Sequence, residues 1–176
     1  MSNSESTEDA LAEARRNKVQ QWLMEEGWQV GLRILPDTVW VLTCEDQGKR
    51  HITIVQETGR KDRIAIVAAL SVGAQHQERL NQLPQKERRE LIFELRQAII
   101  LLDVGYAGIQ EPLKQMIFDQ RIYDDGLSKD AFLQRITKVR NASVLAVNII
   151  AQHLSEPPPA PQEEKHIGFV APKTLQ

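Results

Sequence analysis

The chain has 176 residues, 41% of them hydrophobic and 26% charged, with a formal net charge of −2. That is long enough for one domain with a real core. No apolar run approaches the roughly 20 residues of a bilayer-spanning helix. The acids Glu5, Glu8 and Asp9 head the chain and a further acidic cluster follows Pro161, leaving the middle only slightly basic. A phosphate backbone demands a far denser basic patch, so nucleic acid is not an expected partner, and neither is a membrane. The single cysteine, Cys44, leaves no internal disulfide and no cysteine-cluster metal site. Met1–Asp9 lacks the basic-then-apolar pattern of a signal peptide, so the expected compartment is the cytoplasm, and residues 1–9 are expected to be disordered.

Residues 10–154 read as a single α+β domain. Leu11, Val19, Trp22 and Leu23 recur at helical spacing, and Gly27 supplies a stop, because a left-handed turn costs glycine little. The period then changes to two. Trp28, Val30, Leu32 and Ile34 form a half-buried strand, and Pro36-Asp37 turns the chain into a second, Val39–Cys44. Gln47-Gly48 and Thr58-Gly59 separate two more, His51–Val55 and Arg63–Ala68. Four strands joined by short turns predict an antiparallel β-meander, which must carry helices on one face to own a core.

A short helix over 74–81 ends at Leu83-Pro84, and Pro84 suits the first position of the next helix. There Leu91, Ile92, Leu95, Ala98, Ile99 and Leu102 make an apolar stripe. A short strand over 104–107 and a longer one over 114–122 follow. Ser128 caps the last, long helix, with Asp130 at its positive end and Leu127 stapled onto Phe132. From Ala142 to Ala151 that helix is apolar almost all round, so it either crosses the domain centre or packs against a second copy. Val144, Val147 and Ile150 are therefore the candidate homodimer interface. Residues 155–176 open on Pro157-Pro158-Pro159 and read as a flexible tail, with Ile167, Phe169 and Val170 as an apolar motif able to dock.

Motifs for chemistry are sparse. The sequence holds no Walker loop, dinucleotide fingerprint, H-E-x-x-H or nucleophile elbow. His51, His76, His153 and His166 fall at no ligand spacing, so neither metal nor cofactor is expected. Asp124-Asp125 precede a helix N-terminus, where carboxylates serve a turn, although a metal-dependent hydrolase is a remote alternative. Cys44 reads as a small core hydrophobe. Arg60, Lys61 and Arg63 concentrate positive charge at a hairpin end, which offers a second alternative, a small-anion-sensing regulatory domain. The second strand is apolar on both parities, and Trp40 and Leu42 are taken as its exposed, partner-binding side.

Four stretches carry a family resemblance: RKDRI at 60–64, ELIFELRQAIILLDVGY at 90–106, IYDDGLSKDAF at 122–132 and VRNA at 139–142. In order and spacing over residues 11–154 they resemble an uncharacterised prokaryotic family whose fold is similar to the type III secretion chaperones. The resemblance implies an antiparallel sheet flanked by helices, often dimeric, with no catalytic residues. It also implies binding of unfolded or extended partner segments. The expected function is thus a non-catalytic adaptor or assembly chaperone. It would bind an extended or helical protein segment at a sheet edge or apolar groove, through Trp40, Leu42, Arg60, Lys61, Arg63 and the tail motif.

Overall fold

The structure, a computed structural model, describes residues 2–154, with side chains from Glu8 onward. The tail motif Ile167, Phe169 and Val170 lies outside the described residues. The elements run α1 (Ser2–Glu25), β1 (Gln29–Arg33), β2 (Thr38–Glu45), β3 (His51–Glu57), β4 (Arg63–Ser71), α2 (Ala74–Gln82), α3 (Gln85–Leu101), β5 (Gly105–Ala107), β6 (Gln115–Tyr123), a 3-10 turn (Asp124–Gly126) and α4 (Lys129–Leu154). This is the α+β architecture expected from the alternating periods. Among the described residues no helix is long and apolar enough to cross a membrane.

One element departs at its start. Residues 2–9, expected to be disordered, fall within α1, whose first helical residue is Ser2. Glutamate and alanine are good helix formers, so the same stretch that reads as a solvated tail also favours helix continuation. The helix ends as expected. Gly27 takes φ +78°, and the Trp28 N–H closes back onto the Leu23 carbonyl at 3.0 Å.

The six strands form one antiparallel sheet in the order β1-β2-β3-β4-β6-β5. The meander supplies the first four. β6 then returns beside β4, in register from Arg63↔Tyr123 to Ser71↔Gln115, and β5 pairs on its far side. Alternation divides the sheet into two faces. Trp40, Leu42, Cys44, Ile52, Ile54, Ile64, Ile66, Met116, Phe118 and Ile122 are buried in one core cluster with residues of all four helices. The helices lie on that face.

α4 occupies the middle of this layer. It packs on β4 and β6 on one side and touches α2 and α3 on the other. Phe132, Ile136, Val139, Ala142, Ala146, Ile149, Ile150 and Leu154 are its buried residues. That double coverage explains why its second half is apolar almost all round. Ser128 caps it as expected, its Oγ accepting the Ala131 N–H at 3.2 Å. Ile150, expected at a dimer interface, belongs instead to the core, because it lies on the covered side of the helix. Val144 and Val147 remain exposed.

Candidate functional site

Trp40 is not a surface residue. It is 2% exposed, and its indole N–H donates to the Ala12 carbonyl of α1 at 3.1 Å. Leu42 is fully buried beside it. Both were expected on the outward side of β2, and both lie on the helix-covered side. The two parities of β2 are about equally apolar, and only the position of α1 decides which is inside.

The basic hairpin end is a clamp between elements. Lys61 Nζ meets the Glu8 carboxylate of α1 at 2.8 Å. Arg15 of α1 donates to the Lys61 carbonyl at 2.9 Å and pairs with Asp124. The buried Gln56 side chain donates to the same carbonyl at 2.9 Å. Arg63 reaches the Tyr123 hydroxyl at 3.4 Å and Glu57 at 3.7 Å. Arg60 is exposed at the tip. The positive charges of Lys61 and Arg63 thus already face carboxylates or a phenol, and the Asp124 carboxylate ties the 3-10 turn to the first helix.

Elsewhere the reactive side chains are scattered. Among the described residues no three of His, Cys, Asp or Glu gather as a group able to hold a metal ion. His153 meets Glu94 at 2.8 Å, and His51 lies 3.6 Å from Glu45. A cavity of about 370 Å³ opens between α2, α3 and Glu111–Leu113, but its guanidinium, Arg88, is bound to Glu111 at 3.1 Å and to the Leu83 carbonyl at 2.8 Å.

Burial pushes the Cys44 thiol up to about 12. The reactive species is the thiolate, and at pH 8 a group titrating there is ionised to roughly one part in ten thousand. Ellman's reagent is therefore expected to leave Cys44 unmodified in the native protein and to label it fully in denaturant. Rapid native labelling would show that the strand opens.

Two surfaces of the sheet are open among the described residues. The first is the edge of the sheet at β1, which pairs only with β2. Large apolar residues cluster here: Leu32 is 50%, Ile34 82% and Leu35 48% exposed. Natural edge strands are usually blunted by charge, proline or a covering element. Pro36 and Arg33 stand nearby, yet three aliphatic side chains remain in the open. The opposite edge, β5, is only three residues long. The period-two pattern through Leu32 and Ile34 marks a strand here but carries no signal of their exposure, which follows from the edge position of β1.

The second surface is the outward face of the sheet. Thr43, Thr53, Val55, Ala65 and Val67 are half-buried and in register across β2, β3 and β4 on the side away from the helices, whereas Val41 in the same rows is buried.

A model of the family described as "Uncharacterized conserved protein (DUF2299)" matches residues 15–150. No curated protein matches the chain. Among solved structures, the crystal structure of an uncharacterized protein from Methanothermobacter thermautotrophicus is similar, with a TM-score of 0.75 and 25% identity over 80% of this chain and 99% of that one.

Proposed function

We propose that this chain, which belongs to the DUF2299 family, is a non-catalytic protein-binding module that accepts an extended partner segment at the free edge of β1. The resemblance to the secretion chaperones enters here, as a likeness of fold and of binding mode, and the cytoplasm is the compartment this reading assumes. The partner is a protein chain and the role is that of an adaptor or assembly factor.

One observation carries the reading: an unpaired strand edge flanked by the exposed Leu32, Ile34 and Leu35. A peptide added as a seventh strand would satisfy the open backbone N–H and C=O groups, and alternate side chains would rest on these aliphatics.

The test is a charged edge. Leu32→Lys with Ile34→Glu is expected to abolish capture of the partner that the wild-type chain retains from its native host, with the unfolding midpoint preserved. Arg89→Ala, remote on α3, serves as the control and keeps capture. A partner retained equally by the edge variant overturns the proposal.

A further inference from the structure

We propose that the tail beyond Leu154 crosses α3 and seats its apolar motif, Ile167 and Phe169, in the groove between α3 and residues 109–113. The inference is independent of the edge-strand reading, because the groove belongs to the helical layer and leaves β1 untouched.

The groove consists of two adjoining cavities, of about 370 and 310 Å³, that share Ile92 and Glu111. Leu80, Leu91 and Leu113 are buried and floor the first. Phe93 stands at the mouth of the second and is 62% exposed. An open aromatic ring beside a concave apolar floor marks an interaction surface. The rim is basic. Arg88 is bound to Glu111, but among the described residues no carboxylate pairs with Arg89 or Arg96. Arg96 donates to the Ile109 carbonyl at 2.7 Å, which fixes the guanidinium without neutralising it. At 100° per residue, Glu90 and Glu94 fall on the other flank of α3. The groove thus joins an apolar floor to two uncompensated positive charges.

Reach and charge select the occupant. The end of α4 delivers the tail to α3: His153 meets Glu94 at 2.8 Å, and Arg79 of α2 donates to the Leu154 carbonyl. Glu94 and Arg96 lie about 200° apart round a helix about 10–12 Å across, so the groove is on the opposite flank. Residues 155–162 include Pro157, Pro158, Pro159 and Pro161. Extended at about 3.1 Å per residue, they span up to about 25 Å, enough to cross α3. Glu163 and Glu164 then arrive beside Arg89 and Arg96, and Ile167 and Phe169 follow onto Ile92, Phe93 and the floor. Lys165 leaves the stretch 163–170 net negative, opposite in sign to the rim. A symmetric contact with a second copy would instead bring arginine towards arginine. The tether supplies an effective concentration of about 1 mM, so a contact worth only about 100 µM as a free peptide is occupied about nine times in ten.

Disulfide trapping in the full chain decides the matter. Gln110→Cys on the far wall of the groove and Gly168→Cys in the tail supply the reactive pair, since Cys44 is buried. In a glutathione buffer this pair is expected to close within one chain. Ile167→Asp with Phe169→Asp, in the same cysteine background, is expected to lower the effective concentration of closure about 10-fold, matching the loss of a mostly occupied state. Glu163→Lys with Glu164→Lys is expected to lower it several-fold, and adding Arg89→Glu to that variant is expected to recover most of the closure. Linker and cysteines are the same throughout, so reach alone cannot produce these differences. Arg89 and Gln110 are exposed, and circular dichroism is expected to stay native. Closure indifferent to both the apolar and the charge substitutions overturns the proposal. So does a bond that forms between two chains, or a Gly168→Cys thiol that closes more readily with Ser71→Cys, at the apolar notch beside Val147, than with Gln110→Cys.

Discussion

Replacing Trp40 with alanine is expected to lower the unfolding free energy by about 3–5 kcal/mol, the usual cost of deleting a buried large aromatic. The indole fills the space between β2 and α1, and its N–H is bonded to the Ala12 carbonyl. Truncation removes both the packing and the tie. Ordinary domains are stable by only about 5–15 kcal/mol, so much of the protein's reserve would go with this one side chain. Trp40→Phe keeps most of the apolar volume and is expected to lose roughly 1–2 kcal/mol. Urea unfolding followed by far-ultraviolet circular dichroism measures both. If Trp40→Ala unfolds at the wild-type midpoint, the residue is not the core element described above.

The second large effect is expected at Gly108. Its φ is +76°, and a Cβ there would sit 2.1 Å from the Gln115 carbonyl oxygen. That atom is backbone at the start of β6, so no rotamer change relieves the overlap. Gly108→Ala must either shift the end of β6 or abandon the left-handed conformation, and both break the close approach of the two segments. A loss of more than about 3 kcal/mol is expected, combining backbone strain with lost strand pairing. Gly59→Ala is the matched control: nothing lies within 4 Å of its Cβ position. There a change within about 0.5 kcal/mol is expected, as for ordinary surface sites. Equal stability of the two variants would show that the Gly108 contact is looser than its geometry indicates.

Much of the fold is written locally. The switch from helical spacing at Leu23 to alternation at Trp28, the Gln47-Gly48 and Thr58-Gly59 turns and the Ser128 cap all act over a few residues. Each survives in the structure where the pattern puts it. What periodicity does not carry is which side of a strand faces the core. In β2, Trp40-Leu42-Cys44 and Val39-Val41 are both apolar, and the choice is made by α1, a partner distant in sequence. The same holds for Ile150: an all-round apolar helix reads equally as a central element or as an interface, and α2 and α3 decide it. The candidate site was half legible. Leu32 and Ile34 belong to the predicted first strand, but their exposure follows from β1 being an edge, which only the sheet order reveals.

The pairing of β6 with β4 has a kinetic consequence. The hairpins β1-β2, β2-β3 and β3-β4 each close over a tight turn, whereas β6 meets β4 only after the chain has travelled from Ser71 through two helices to Gln115. Loop-closure entropy grows with the length enclosed, so this pairing forms at the highest entropic cost in the sheet. Until it does, Ile64, Ile66 and Ala68 lack both their strand neighbour and the α4 surface that follows it. The nascent meander thus passes through a stage with a sticky open margin at β4. Speed of refolding is then governed by how quickly the α2-α3 excursion delivers its far end.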